Sequence, residues 1–305
     1  MDFLEKIVIS TRQYVAANRA RMSLIELREK VAEVLAISAT FSEVSTQAVR
    51  AAGAAAAAGV SGAEGNFYAV AAAPTGITGE RDFPFEQVLS APGLSCVCEL
   101  KKASPSKGII AKDFPYMDIA QEYRSAGADA LSVLTEPLYF LGSAEYLSDI
   151  VAQIPLPVLR KDFIIDEYQV FESRLLGAAA ILLIVTLLDD EQLNEFITCA
   201  HSIGLSVLVE VHSEEDLVRA LSTGARIVGI NSRDLRNFEV DKGVFARLRP
   251  SIPREVLCVA ESGIRTRDDV KALESLEVDA MLIGERLMRA PDKKACLAQL
   301  RGEPS

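Results

Sequence analysis

The sequence has few of the residues on which several common kinds of site depend. It contains no tryptophan and only two histidines, His201 and His212, and neither has a partner at metal-ligand spacing. We therefore expect neither a zinc site nor a serine–histidine–aspartate triad. The five cysteines are odd in number and include no Cys-x-x-Cys pair, which predicts reduced core thiols in a reducing compartment.

The sequence also lacks a long apolar run and an excess of positive charge. No apolar run is long enough to span a bilayer, and Asp2 and Glu5 precede the first basic residue, so we expect neither a membrane span nor a targeting peptide. The formal net charge is −11, whereas nucleic acids and anionic membranes bind basic surfaces. These features predict a cytoplasmic protein that acts on a small molecule, with no nucleic acid and no membrane as partner.

The first quarter of the chain differs in composition from the rest. Residues 3–33 carry apolar side chains at helical spacing and predict an amphipathic leader. Residues 34–80 contain an almost continuous alanine block at 51–58 and many glycines, which predict a short helix with loops and favour a tolerated insertion. We expect a single domain, in which the leader and insertion (1–80) precede the main region (81–305).

From Ser95 onward, short apolar runs alternate with amphipathic segments. Glycines at positions 127, 177 and 224 each end a predicted helix just before a strand, which forms an internal repeat. Eight strands are predicted, at 95–101, 129–134, 156–160, 180–186, 205–211, 226–231, 256–261 and 279–284.

Strands that alternate with helices predict a parallel sheet covered on both faces. A doubly wound sheet usually carries a Gly-x-Gly-x-x-Gly turn after its first strand, and this sequence has none. We therefore predict an α/β protein of the (β/α)8 TIM barrel class with an N-terminal helical extension. Such barrels place their active sites at the C-terminal ends of the strands.

Charged and polar residues follow nearly every predicted strand. Burying two lysines and three acids in one cavity costs several kcal/mol per ion unless the ions are paired, so the pattern indicates function. For Glu99 and Lys101 alone, a structural ion pair at a strand end is an equally good interpretation. The strand-end residues are Glu99, Lys101, Glu136, Lys161, Glu210, Asn231 and Glu261, and the two lysines and three acids of the predicted site are Lys101, Lys161, Glu99, Glu210 and Glu261.

Small residues at three strand ends predict a phosphate site. Gly263 and Gly284 follow the seventh and eighth strands, where barrels commonly bind phosphate through backbone N–H groups. Ser104, in the polar loop after the first strand, could complete this site.

Five motifs together resemble those of indole-3-glycerol phosphate synthase, over about residues 80 to 290 and the leader. They are Glu-Leu-Lys-Lys-Ala-Ser-Pro-Ser-Lys-Gly at 99–108, Leu-Thr-Glu at 134–136, Arg-Lys-Asp-Phe-Ile at 160–164, Gly-Ile-Asn-Ser-Arg-Asp-Leu at 229–235 and Ala-Glu-Ser-Gly-Ile at 260–264. The resemblance implies a barrel enzyme of tryptophan biosynthesis that needs no cofactor or metal. Its reaction closes the indole ring of 1-(2-carboxyphenylamino)-1-deoxyribulose 5-phosphate and releases carbon dioxide and water.

The resemblance also implies a role for individual residues. Lys161 would be the general acid that protonates the substrate ketone, and Lys101 would bind the substrate carboxylate. Glu210 would be the base of the dehydration, with Glu99 and Lys101 as an alternative acid–base pair. The substrate-binding residues would be Asn231, Glu261 and Ser262, and the phosphate-binding residues Ser104, Gly263 and Gly284.

Two other functions are compatible with a barrel of this kind. A neighbouring isomerase of the same pathway would need a Cys/Asp pair, and no cysteine ends the first strand. An inactive barrel that serves as a binding subunit would have replaced Lys161, Glu210 or Lys101, and all three are present. A monomer and a weak homodimer are both compatible with the sequence, as is contact with other tryptophan-pathway enzymes.

The sequence supports expectations for five further residues. Leu141 stands where the family more usually has glycine or asparagine, and Glu285 would have to turn away from a phosphate at Gly284. His212 is expected to be a packing residue on the strand face opposite Glu210. Arg233 and its neighbour Asp234 are expected to pair at the rim of the barrel.

Overall fold

The computed structural model describes residues 3–37 and 83–303. The helices are α1 (Phe3–Arg21), α2 (24–37), α3 (Pro84–Leu89), α4 (Tyr116–Ser125), α5 (Ala144–Gln153), α6 (Glu167–Leu175), α7 (Asp190–Ser202), α8 (Glu214–Ser222), α9 (Gly243–Leu248), α10 (Arg267–Ser275), α11 (Glu285–Met288) and α12 (Lys293–Arg301). The strands are β1 (Ser95–Leu100), β2 (Ala103–Ser104), β3 (Gly108–Ile109), β4 (Ala130–Leu134), β5 (Val158–Lys161), β6 (Ala180–Ile184), β7 (Ser206–Val211), β8 (Ile227–Asn231), β9 (Leu257–Glu261) and β10 (Ala280–Ile283).

Eight parallel strands form a closed barrel, in which β1 pairs with both β4 and β10. This confirms the predicted fold class, and each predicted strand lies within two residues of an observed one at both ends. The repeat of glycines is also confirmed, since Gly127, Gly177 and Gly224 all have positive φ. The sequence did not predict β2 and β3, a short antiparallel hairpin after β1 in which Ser104 pairs with Gly108.

The barrel interior consists of layers to which alternate strands contribute. The first residues of β4, β6, β8 and β10 form the layer at the N-terminal end, and β1, β5, β7 and β9 supply the next. These residues are Ala130, Ala180, Ile227 and Ala280, then Val97, Leu159, Leu208 and Val259, and all of them belong to one apolar cluster. A second and larger apolar cluster fills the space between the strands and the surrounding helices.

Helix α3 closes the N-terminal end of the barrel. Phe85 and Leu89 are fully buried and belong to the interior cluster. The small first layer makes room for these side chains. Outside them, Glu86 forms an ion pair of 2.9 Å with Arg226, whose guanidinium lies 4.0 Å from the centroid of the Phe83 ring.

The helical leader predicted over 3–33 comprises two helices. Helix α1 ends at Arg21, and Ser23 begins α2 with a reciprocal cap: Ser23 Oγ accepts from the Glu26 N–H, and Glu26 Oε2 accepts from the Ser23 N–H. Apolar spacing continues across this break, so periodicity alone did not indicate it. Most of the predicted insertion, residues 38–80, lies outside the described residues.

Hydrogen bonds and an ion pair connect the leader to helix α6. Asn18 Nδ2 donates to Glu172 Oε1 at 2.8 Å, and the Tyr14 hydroxyl donates to the same oxygen at 3.3 Å. Arg19 pairs with Asp166 at 2.7 Å. Within the described ranges, no helix combines the length and apolar character needed to cross a membrane.

Candidate active site

Four charged residues form the layer above the apolar interior, one from each of the alternate strands β1, β5, β7 and β9. Each lies two positions beyond an interior apolar residue of its own strand, so all four side chains point into the barrel. They are Glu99, Lys161, Glu210 and Glu261. The three carboxylates are almost completely buried, with exposed fractions of 4%, 1% and 1%.

Lys161 lies among these carboxylates. Its Nζ is 3.3 Å from Glu210 Oε2 and 3.4 Å from Glu261 Oε2. Burial alone would lower the pKa of Lys161, but the negative charges of Glu210, Glu261 and Glu99 outweigh it and raise that pKa above its ordinary value. Lys161 is therefore protonated at neutral pH, held as a cation inside a ring of acids.

The two carboxylates beside Lys161 differ in pKa. Burial raises the pKa of Glu261, and the nearby Glu210 and Glu99 raise it further against the attraction of Lys161. Burial also acts on Glu210, but Lys161, His212 and the Asn231 amide outweigh it and lower the pKa of Glu210. The surroundings thus favour the ionised form of Glu210 more than that of Glu261.

Lys101 forms a second ion pair, with Glu99, in which its ammonium donates to Glu99 Oε1. The two residues lie on the same face of the chain, as their spacing predicted. Glu99 shares its layer with Lys161, so the Lys101 pair is continuous with the group of charges in the barrel. The sequence-based interpretation of a separate structural pair at a strand end is therefore incomplete.

Two glycines of the neighbouring strands make space for these side chains. A Cβ atom at Gly229 would overlap Glu261 Oε1, and a Cβ atom at Gly284 would overlap Glu99 Oε1. Any larger residue at either position would push a carboxylate out of its place. The glycines therefore determine where the charges of the site lie.

A cavity of about 520 Å³ opens above the charged layer. All ten residues predicted for the site line it, which are Glu99, Lys101, Ser104, Lys161, Glu210, Asn231, Glu261, Ser262, Gly263 and Gly284. The cavity also has an apolar wall that the sequence analysis did not predict, comprising Leu134, Phe140, Phe163, Leu182, Ile184, Leu235 and Phe238. The cavity can thus accommodate a molecule with one aromatic and one strongly polar part.

Helix α1 reaches the mouth of this cavity. The Phe3 ring packs edge-on against Phe163, with centroids 6.4 Å apart, and against Phe238, with centroids 5.0 Å apart. It also packs against Tyr139 at 5.2 Å. The leader thus supports two of the aromatic side chains that form the apolar wall.

One end of the cavity lies between the loops after β1, β9 and β10. Ser104, Ser262 and Gly263 line it, and both Ser262 and Gly263 have φ in the left-handed region. Glu285 also lines the cavity, and its Oε1 accepts from Arg289 Nε at 3.2 Å. The negative charge that the sequence places beside this end is therefore balanced by Arg289.

A buried polar network lies behind Lys161. Arg160 is fully buried and pairs with Asp162 at 3.1 Å and with Glu172 at 2.8 Å. Its Nε donates to Thr135 Oγ1, and the Thr135 hydroxyl donates to Asp162. The residues on both sides of Lys161 are thus fixed, which restrains the backbone from which the lysine projects.

Two expectations about residues near the site are wrong. His212 does not lie opposite Glu210: its Nε2 is 3.4 Å from Glu210 Oε1, because the alternation of faces continues past the end of β7. Asp234 pairs with Arg236 at 2.9 Å instead of with Arg233, which donates to the Phe238 carbonyl. Arg233 turns toward the cavity and lines it.

Leu141 has a φ of +54°, in the left-handed region that glycine and asparagine adopt more easily than leucine. This backbone geometry explains why those residues are the more usual ones at this position. In the described part of the chain, no group of three His, Cys, Asp or Glu side chains is arranged to bind a metal ion.

Similarity to known proteins agrees with this geometry. The family model for indole-3-glycerol phosphate synthase matches residues 77–300. The indole-3-glycerol phosphate synthase of Ruminiclostridium cellulolyticum is 49% identical over 239 residues, which are 78% of this chain and 92% of that protein. The enzyme of the same name from Acetivibrio thermocellus is 54% identical over 197 residues, 65% of this chain and 76% of that protein.

Solved structures share the barrel at much lower identity. A 3-hexulose-6-phosphate synthase from Salmonella typhimurium is 14% identical with a TM-score of 0.57, and the match covers 68% of this chain and 97% of that one. KGPDC from Streptococcus mutans is 11% identical with a TM-score of 0.55 over 68% and 96% of the chains. These two likenesses concern the fold alone. The family model and the curated relatives show that this chain belongs to the indole-3-glycerol phosphate synthase family.

Proposed function

We propose that this protein converts 1-(2-carboxyphenylamino)-1-deoxyribulose 5-phosphate to indole-3-glycerol phosphate, with Lys161 as the general acid. One observation carries the proposal: a protonated lysine lies within 3.4 Å of two buried glutamates, beneath a cavity with an apolar wall and a polar end. The substrate has the same division, an aromatic ring at one end and a phosphate at the other.

In the first step the aromatic carbon attacks the ketone of the substrate. Lys161 donates a proton to the ketone oxygen, which stabilises the alkoxide that develops there. Attack leaves a cationic iminium next to the ring carboxylate, and carbon dioxide departs as its bonding electrons return to the ring. Lys101, paired with Glu99 at the cavity edge, binds that carboxylate and holds the two reacting ends together.

In the second step a proton from solvent reaches the hydroxyl group, which leaves as water, and a carbon–hydrogen bond breaks. Glu210 takes the proton from carbon. Its lowered pKa favours the ionised carboxylate, which is the form that can accept a proton. Asn231 and Glu261 hold the intermediate next to it, together with Ser262. Overall, the ketone oxygen gains two protons and carbon loses one, so each turnover takes up one proton from solvent when the substrate carboxylate is ionised.

The phosphate binds at the end of the cavity lined by Ser104, Gly263 and Gly284. Backbone N–H groups and a hydroxyl can donate hydrogen bonds there to the phosphate oxygens. Arg289 offsets the charge of Glu285 nearby. No group on this path requires a cofactor or a metal.

We further propose that the protein acts in the cytoplasm, as a monomer or a weak homodimer, and that residues 1–80 belong to the same domain as the barrel. Contact with other enzymes of the tryptophan pathway fits this location. Sedimentation of the purified protein, alone and mixed with those enzymes, would test the oligomeric state and the contact.

A steady-state assay that follows indole fluorescence tests the proposed reaction. We expect the wild type to turn over the carboxyphenylamino substrate and Lys161→Ala to lose at least about 100-fold in kcat, as for removal of a general acid. Lys271→Ala, at an exposed position on α10, is the matched control and should behave as the wild type.

If the wild type binds the substrate but releases no product, the chain is an inactive binding subunit and the proposal fails. The pathway isomerase is the less favoured alternative, because Cys96 and Cys98 of β1 face the surrounding helices rather than the cavity. Assaying the isomerase substrate in parallel distinguishes that outcome.

A further inference from the structure

Glu210 has a neighbour for which the proposed reaction gives no role. His212 follows β7, and its Nε2 faces Glu210 Oε1 at 3.4 Å, while Lys161 approaches the other oxygen, Oε2. Neither His212 Nε2 nor Glu210 Oε1 has a partner at ordinary hydrogen-bond distance within residues 3–37 and 83–303. Two buried polar atoms of complementary kind therefore face each other, and apo distances of this kind often shorten when substrate binds.

The backbone at His212 is held by the start of α8. The backbone N–H of His212 donates to Asp216 Oδ2 at 3.0 Å, and the Asp216 N–H donates to Ser213 Oγ at the start of α8. His212 shares a strand face with Glu210 but does not line the cavity. A further carboxylate, that of Asp234 in the loop after β8, interacts electrostatically with the imidazole.

Glu210 needs a second partner during the reaction. Its carboxylate is almost fully buried, and a buried charge is costly when nothing compensates it. Lys161 compensates it in the resting protein but becomes neutral once it has protonated the ketone. At that moment Glu210 must still be ionised and correctly oriented to accept a proton from carbon.

We propose that His212 is a positioning residue for Glu210, one that holds Oε1 of the carboxylate and leaves Oε2 directed toward Lys161 and the substrate. The proposal rests on the role given above to Glu210 as the base of the dehydration. His212 itself does not touch the substrate. It offers a hydrogen-bond donor, and a positive charge when protonated, at the oxygen that Lys161 does not reach.

Three variants test the proposal: His212→Ala, His212→Gln and His201→Gln. We expect His212→Ala to lower kcat about 10-fold or more, a part of what a general base contributes, with KM changed less than about twofold. Glutamine keeps an N–H donor, so His212→Gln should recover most of kcat. His201, the other histidine, lies at the opposite end of the barrel beside Phe83, so His201→Gln should leave kcat unchanged.

The pH dependence of kcat/KM distinguishes a positioning role from a packing role, because loss of packing alone would leave the profile unshifted. His212 is one of the groups that lower the pKa of Glu210. In His212→Ala the acidic limb of the kcat/KM profile should therefore shift to higher pH. The profile of His201→Gln should superimpose on that of the wild type.

Glu210→Gln separates failure of this inference from failure of the proposed role of Glu210. If Glu210→Gln retains full activity, Glu210 is not the base and the proposed role is wrong. If Glu210→Gln is inactive while His212→Ala matches the wild type in kcat and pH profile, the inference about His212 is overturned. It is equally overturned if His212→Ala and His212→Gln lose the same activity with an unshifted profile, since that result indicates a packing role.

Discussion

The two ends of the barrel differ in the side chains that the strands direct inward, which are apolar at the N-terminal end and charged at the C-terminal end. At the N-terminal end, Phe85 and Leu89 of α3 pack against the first layer of barrel residues, in which three of the four are alanines. At the C-terminal end, the corresponding layer is charged, with one lysine among three buried glutamates. Only the first of these arrangements removes apolar surface from water and thereby stabilises the fold.

The charged layer is tolerable because its members compensate each other. Lys161 lies between Glu210 and Glu261, and Lys101 pairs with Glu99. Such groups contribute little net stability, because desolvation offsets most of the attraction between the charges. The N-terminal end thus stabilises the fold and the C-terminal end carries the charged site, and three substitutions test this division.

The largest expected effect is on the stability of the N-terminal end. Phe85→Ala removes a fully buried ring from the interior cluster and should lower the free energy of unfolding by about 3–5 kcal/mol. Urea denaturation followed by circular dichroism measures this loss. The folded fraction should keep the kcat of the wild type, and a large fall in its kcat would show that the two ends are not separable.

A smaller effect on stability but a clear effect on activity is expected at Gly229. In Gly229→Ala the new methyl group overlaps Glu261 Oε1 and displaces that carboxylate, so kcat should fall about 10-fold or more. Gly243→Ala is the matched control, since a methyl group there meets only the ends of the flexible Arg247 and Asp241 side chains. Equal kcat values for the two variants would refute the role given to Gly229.

The smallest effect concerns the pH dependence of stability. Burial, and to a lesser extent Arg226, lowers the pKa of His201 to about 4 from an ordinary value of 6.5. Between these two pH values the unfolded chain binds a proton that the folded chain does not, so acidification from about pH 6.5 to 4 favours unfolding.

His201→Gln removes this proton-linked contribution. As the pH falls through this range, the free energy of unfolding of the wild type should therefore decrease more than that of His201→Gln. Urea midpoints at pH 7 and pH 4.5 measure the shift. A difference that does not change with pH would show that His201 titrates normally in the folded state.

The sequence predicted the barrel closely, for a physical reason. Strands buried on both faces appear as continuous apolar runs, and a glycine with positive φ marks the end of the helix before several of them. The same alternation placed Glu99, Lys161, Glu210 and Glu261 at the strand ends. Their roles in catalysis stay predictions.

Features that depend on loop conformation were not predictable in the same way. The apolar wall gathers Phe140, Phe163 and Phe238 from three loops whose course no periodicity determines. The break between α1 and α2 follows from the cap at Ser23, which apolar spacing does not indicate. The position of His212 could have been predicted, because residues 210 and 212 are two apart and share a face.

The alternation of strands also divides the charged layer between two halves of the chain. Glu99 and Lys161 come from the first four barrel strands, and Glu210 and Glu261 from the last four. The contact between Lys161 and Glu210 therefore joins the halves, and neither half holds a complete set of charges. During folding, water hydrates these charges until the halves dock, so the ion pairs of the layer exist only in the closed barrel.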